Sequence, residues 1–192
     1  QGQGLLPSPG CQQRLAAVEN NTWSAAQCEE FAKLFGESKR PLIYAGGGVV
    51  LGEASAALTT FAQAFGIPVV QTLMGLGGYD TTDNLALHML GMHGAAFANY
   101  AVEDCDFVLA VGARFDDRVA GKPNAWAPNA QAIAHLDIDA SEIGKVKAVN
   151  WSHVGLLSLA LDALRAHLQA TGFKADYAPW HSHIAALKRD YA

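Results

Sequence analysis

Five consecutive apolar residues, Phe107-Val108-Leu109-Ala110-Val111, run directly into Gly112. A strand wetted on one face alternates apolar and polar residues, so an unbroken apolar run closed by glycine reads as a strand buried on both faces. The same signature recurs at Leu42-Ile43-Tyr44-Ala45 before Gly46-Gly47-Gly48, and Ile67 to Thr72 and Ala132-Ile133-Ala134-His135-Leu136-Asp137-Ile138 read as further strands. Between these runs the apolar period becomes helical. Ser24-Ala25-Ala26-Gln27 has capping-box spacing ahead of Phe31 and Leu34. Ala54, Leu58, Phe61 and Phe65 share a face and lead to Gly66 as a helix terminator, and Leu157, Leu161, Leu164 and Leu168 mark a further helix. Ala95 to Val102 and Pro179 to Tyr191 are expected to be helical, and Leu73 to Asn84 to be a long loop. Buried strands alternating with helices predict an α/β fold, a Rossmann-like parallel sheet with helices on both faces. In such a sheet ligands bind beyond the carboxyl ends of the strands, near the switch point. The loops Gly46–Gly48, Leu73–Gly78, Ala113–Val119 and Asp139–Glu142 all fall on that edge.

At 192 residues one domain is the default. A net charge of −5 without a basic run argues against a nucleic-acid surface. The apolar runs are far below the roughly 18 residues of a membrane span. Cys11, Cys28 and Cys105 are odd in number and lack CxxC spacing, which predicts reduced thiols in a cytoplasmic protein with no disulfide framework and no zinc site. No basic stretch precedes an apolar core near the start, so no secretory signal is expected. Gln1 to Gly10 is rich in Gly, Pro and Gln and reads as an interdomain linker of a longer polypeptide.

Two motifs stand out. Gly46-Gly47-Gly48 opens a strand-to-helix turn, but Leu51 occupies the third-glycine position of a GxGxxG fingerprint, so an ordinary dinucleotide grip is not expected. Either a tight turn or close approach to a ligand accounts for the glycines. Arg114-Phe115-Asp116-Asp117-Arg118 follows a buried strand and Gly112. Read structurally it is an ion-pair cluster of little worth; read functionally, Arg114 grips a phosphate while Asp116 and Asp117 orient the arginines or accept ligand hydroxyls. His93, between Met92 and Gly94, suits a polar contact beside a flat ring. Asp137-Ile138-Asp139 ends a strand, where a carboxylate either takes ribose hydroxyls or caps the next helix. His181 and His183 near the chain end are weak evidence for a metal.

These residues assemble into a pattern. Gly46-Gly47-Gly48, Thr72-Leu73-Met74-Gly75-Leu76-Gly77, Met89-Leu90-Gly91-Met92-His93-Gly94, Ala98-Asn99-Tyr100-Ala101-Val102, Arg114-Phe115-Asp116-Asp117-Arg118-Val119, His135-Leu136-Asp137-Ile138-Asp139 and Ser141-Glu142-Ile143-Gly144-Lys145 occur in order. From Pro41 to about Lys147 the chain closely resembles the central domain of the acetohydroxyacid synthase (acetolactate synthase) family of thiamine-diphosphate enzymes. The resemblance implies a six-stranded sheet carrying FAD in a mainly structural role. It implies cofactor contacts at Gly46, Gly47, Gly48, Thr72, Leu73, Met74, Leu90, Gly91, Met92, His93, Gly112, Ala113, Arg114, Asp116, Arg118, Val119, Asp137 and Ile138. Met92, His93, Asp117 and Arg118 would border the channel for 2-ketoacids, with Arg118 placing the acceptor carboxylate. The division implied is a linker-like segment 1–22, the FAD-binding-type domain 23–170, and a helix or linker 171–192 toward a diphosphate-binding domain.

The family's thiamine-activating glutamate and its magnesium motif belong to neighbouring domains, so this piece alone is expected to be inactive, with no metal site and no catalytic residue of its own. The full-length protein would be a homo-oligomeric carboligase of branched-chain amino-acid biosynthesis, using thiamine diphosphate and Mg2+ to condense two 2-ketoacids with loss of carbon dioxide. One departure is expected near the end: Ser152-His153-Val154 stands for the family's Gly-Asp-Val after a strand, with a loop about three residues shorter. That departure motivates the alternative of a scaffold domain that no longer binds flavin. A related carboligase with a different product is a further alternative.

Overall fold

The computed structural model describes residues 24–115, 126–144 and 149–192. The elements, in chain order, are α1 (Ala25–Gly36), β1 (Pro41–Ala45), α2 (Gly47–Leu51), α3 (Ser55–Phe65), β2 (Val69–Gln71), β3 (Ala86–Met89), α4 (Ala96–Asp104), β4 (Phe107–Val111), β5 (Ala132–Asp137), β6 (Trp151–Val154), α5 (Leu157–Ala170) and α6 (Ala178–Tyr191). Short 3-10 turns cover Leu73–Gly75 and Ala140–Glu142.

All strand pairs are parallel, in the order β3-β2-β1-β4-β5-β6. That is the doubly wound order, with its switch point between β1 and β4. Right-handed crossovers on the two halves run in opposite directions, so α3 (β1 to β2) and α4 (β3 to β4) lie on opposite faces. α5 packs against α3 and α1, and α6 against α4, so both faces are covered. Every residue of β1, β4 and β5 is buried, which is why these strands carry no polar alternation.

Local chemistry fixes the ends. Ser24 Oγ accepts from the Gln27 N–H at 3.2 Å and Gln27 Oε1 accepts from the Ser24 N–H at 3.3 Å, the reciprocal box its spacing predicts. Gly66 ends α3 at φ 68°. Leu157, Leu161, Leu164 and Leu168 are all buried along α5. On the amino edge of the sheet, Asp106 gathers the Ser38 hydroxyl at 2.5 Å and the N–H groups of Lys39 and Arg40 at 2.9 and 3.0 Å. This carboxylate fastens the entry to β1 against the entry to β4. α6 docks through Trp180, which is 1% exposed and donates from Nε1 to the Pro41 carbonyl at 2.9 Å.

Three elements depart from the sequence reading. The stretch between Asn84 and Ala95 contains an edge strand, β3, whose residues are only half buried. The triglycine does not simply turn; Gly47 starts the short helix α2. Trp151-Ser152-His153-Val154 is itself strand β6, in register with Ala134–Asp137, and the turn after it begins at Gly155. The expectation that Ser152-His153-Val154 follows a strand is therefore corrected: these residues are within the strand, and Gly155 follows it. Trp151, unexplained in the sequence, packs its ring 5.1 Å from Phe31 and donates from Nε1 to the Gln27 carbonyl at 2.9 Å.

Candidate functional site

The carboxyl edge is stitched together by backbone hydrogen bonds between neighbouring strand ends. Thr72 N–H donates to Ala45 O at 2.9 Å and Leu90 N–H to Gln71 O at 3.1 Å. On the other side of the switch point, Gly46 N–H donates to Val111 O, Gly48 N–H to Gly112 O, and Gly112 N–H to Leu136 O, each at 2.9 Å. The turns after β1, β2, β3, β4 and β5 thus lie side by side, and the candidates at Gly46–Gly48, Thr72–Met74, Leu90–His93, Gly112–Arg114 and Asp137–Ile138 share one edge.

The glycines of the turns after β1 and β4 serve each other. A Cβ on Gly46 would strike Gly112 O and Ala113 Cα, and one on Gly48 would lie 2.7 Å from Gly112 Cα. A Cβ on Gly75 would strike Ala45 O. Of the two sequence readings, the tight turn is the one visible in the packing, since the absent side chains let two backbones touch at the switch point. Gly47 faces the Met74 side chain instead, 3.0 Å from where its Cβ would be.

The rim combines apolar and polar groups. Leu73, Met74 and Met92 are 66%, 76% and 89% exposed, and Ile138, after β5, is exposed on the same edge. Several large exposed apolar side chains gathered on one edge mark a surface that something covers. Thr72 is buried and its Oγ1 caps the Leu73–Gly75 turn, accepting from the Gly75 N–H at 3.0 Å. His93 is exposed. The Arg114 side chain is 77% exposed, with Nε 3.7 Å from Glu142 Oε1, a distance and exposure that leave its guanidinium available to an anion.

Asp137 is buried at the end of β5. Its Oδ1 accepts from the Asp139 N–H at 2.9 Å, and its Oδ2 lies 3.4 Å from Nε2 of the fully buried His135. Asp139 takes the capping role, accepting from the Ser141 N–H at 2.9 Å. Asp116, Asp117, Arg118 and Val119 lie outside the described residues.

Two clefts are present among the described residues, one of about 500 Å³ where the loop after β2 (Gly77–Thr81) meets Ser55 and Thr59 of α3, the other of about 200 Å³ between Gln27, Glu30 and Asn150. Among the described residues no group of three His, Cys, Asp or Glu could hold a metal. His181 and His183 are engaged in docking α6, Nε2 of His181 at 2.6 Å from Gly66 O and Nε2 of His183 at 2.6 Å from Asp104 Oδ2. No described helix is long and apolar enough to cross a membrane. Burial pushes the Cys105 thiol up to about 12, so it is not a reactive thiolate.

A doubly wound parallel sheet with glycine turns packed together at its switch point defines an α/β domain of the Rossmann-like class. Residues 28–164 match the family model described as the thiamine pyrophosphate enzyme central domain, and the chain belongs to that family.

It is similar to the acetolactate synthases. It is 46% identical over 165 residues to "Acetolactate synthase, chloroplastic" of Arabidopsis thaliana, covering 85% of this chain and 24% of that protein. It is 46% identical over 168 residues to "Acetolactate synthase 3, chloroplastic" of Brassica napus, covering 86% and 25%. It is 43% identical over 185 residues to "Acetolactate synthase 2, chloroplastic" of Nicotiana tabacum, covering 95% and 27%. The chain thus spans about a quarter of the length of these relatives. Their names overturn the cytoplasmic expectation. Unpaired cysteines report a reducing environment, and that property does not single out one compartment.

Proposed function

We propose that this chain is the FAD-carrying central domain of a full-length acetolactate synthase, a homo-oligomeric enzyme that condenses two 2-ketoacids with loss of carbon dioxide in branched-chain amino-acid biosynthesis. The observation that carries this reading is the convergence of five strand-end turns, with exposed Leu73, Met74, Met92 and Arg114, on one edge of the sheet. The donor set fits a flavin nucleotide. Leu73, Met74 and Met92 offer soft apolar surface to a flat ring, the Arg114 guanidinium suits a diphosphate, and Asp137 and Ile138 stand at a strand end suited to ribose.

Leu73, Met74, Met92 and Arg114 would hold FAD, which would supply a mainly structural element. Thiamine diphosphate and Mg2+ would be held by the neighbouring domains and supply the carboligation chemistry. This chain's part is to bind, to exclude water and to orient. Arg118 would fix the carboxylate of the acceptor ketoacid by charge and geometry, with Met92, His93 and Asp117 bordering its approach.

Ser152-His153 in place of the Gly-Asp that the resemblance implies motivates a second reading, a scaffold domain without flavin. One experiment separates them. The full-length protein, purified and supplied with thiamine diphosphate, Mg2+ and FAD, is assayed with pyruvate for acetolactate. Production of acetolactate with stoichiometric protein-bound FAD supports the first reading. Activity unaffected by removing FAD supports the second, and a protein inert with pyruvate refutes the enzyme assignment.

A further inference from the structure

Asn99 had no role beyond its place in a family string. The loop that follows β3 buries Leu90 and presents Met92 and His93 outward. Its backbone is fastened at several points. Leu90 N–H donates to Gln71 O at 3.1 Å, Gly94 N–H to Gly91 O at 3.0 Å, and Ala95 N–H to Met89 O at 2.9 Å. A Cβ on Gly94 would lie 2.6 Å from Leu90 C, so the loop closes backbone on backbone. Gly91 takes φ 109°, a conformation that an L side chain rarely adopts.

At the apex of this fold, one side chain reads both polar groups of Gly91. Asn99 Oδ1 accepts from the Gly91 N–H at 2.9 Å, and Asn99 Nδ2 donates to Gly91 O at 3.0 Å, with a longer contact to Ala95 O at 3.4 Å. A carboxamide is the side-chain group that matches a donor and an acceptor on one residue, since a carboxylate only accepts and a hydroxyl is too short to span both. Asn99 sits on α4, which is anchored in the core by Phe97, Ala98 and Ala101. The clamp therefore ties a glycine loop to a rigid element of the domain.

We infer that Asn99 is the positioning residue of the crevice, fixing Gly91 to α4 so that Met92 and His93 stand at a set height above the sheet edge. The inference rests on the reading that this edge holds FAD. Asn99 touches no ligand in this role; it acts through Gly91.

The test uses the full-length protein with Asn99→Ala and Asn99→Asp. Two measurements are made: amide hydrogen exchange, and FAD affinity by quenching of flavin fluorescence on titration of the apoprotein. In N99A the amides of residues 91–94 are expected to exchange at least about tenfold faster, while those of α4 and β4 stay near wild-type rates, and FAD binds about tenfold more weakly. N99D keeps the acceptor for the Gly91 N–H and loses the donor, so its values are expected between the two. Should N99A fail to fold, N99D carries the same test.

Unchanged loop exchange in either variant overturns the inference. So does acceleration spread evenly over α4 and the sheet, because it would mean that Asn99 only supports the scaffold. Faster loop exchange with unaltered FAD affinity overturns the link to the crevice. A wild-type protein that ignores FAD refutes the flavin reading instead, and loop exchange then still decides whether Asn99 holds Gly91.

Discussion

Replacing Gly112 by alanine tests the closeness of the two turns at the switch point. Gly112 has φ 54°, and a Cβ there would lie 2.7 Å from Gly48 Cα, 2.9 Å from Gly48 C and 2.9 Å from Leu157 Cδ1. The leucine methyl can swing away, but Gly48 is backbone held by its hydrogen bond to Gly112 O at 2.9 Å, so relief requires the ends of β1 and β4 to part. The left-handed conformation costs a non-glycine residue about 1–2 kcal/mol and overpacking about 1–3 kcal/mol. Their sum, about 2–5 kcal/mol, is a large share of the roughly 5–15 kcal/mol that holds a domain together. Gly144→Ala separates the terms, because Gly144 has φ 66° with nothing within 4 Å of its Cβ position. It should lose only the conformational part, about 1–2 kcal/mol. Urea denaturation followed by tryptophan fluorescence reads both. With a slope near 2 kcal/mol/M, G112A should move the midpoint down by about 1–2.5 M and G144A by less than about 1 M. Equal shifts for the two variants would refute the claim that the turns are packed against each other.

Other consequences are open to measurement. Trp180→Ala removes an indole buried at the start of β1 together with its bond to Pro41 O, and should cost about 3–5 kcal/mol in the same denaturation experiment. Asp106→Ala leaves the Ser38 hydroxyl and the Lys39 and Arg40 amides without their shared acceptor, and a loss of about 2 kcal/mol or more is expected. Burial holds the His153 imidazole below its ordinary value of 6.5, so the unfolded chain binds the proton more readily than the folded one. Its contribution is therefore neutral above about pH 7 and destabilising as pH falls through 6.5. His153→Gln should flatten the decline in melting temperature between pH 7 and pH 5, and an unaltered decline would contradict this.

The interior strands were plain in the sequence because burial on both faces removes polar residues, and Phe107–Val111 begins and ends where its composition does. The edges were not. β3 is short, half exposed, and carries His88 at φ 61° across a register shift between Val69 and Gln71, so neither its length nor its pattern announces a strand. β6 alternates buried Trp151 and His153 with outward Ser152, so Ser152-His153-Val154 reads as following a strand rather than lying in one. The triglycine suggested a turn because glycine disfavours helix, yet tertiary contact with Gly112 starts a helix there. Of the site, the positions of the turns were legible, since strand ends in a parallel sheet must share an edge. The clamps were not, because Ser38–Asp106 joins residues 68 apart and Asn99–Gly91 depends on how α4 lies against the loop.

A crystal structure of the full-length protein purified with FAD tests the central claim most directly. The account predicts flavin density along the carboxyl edge, against residues 72–74, 90–93, 112–114 and 137–138. Density over the amino edge near Asp106, or in the cleft beside Ser55 and Thr59 with the carboxyl edge covered by protein alone, would contradict it.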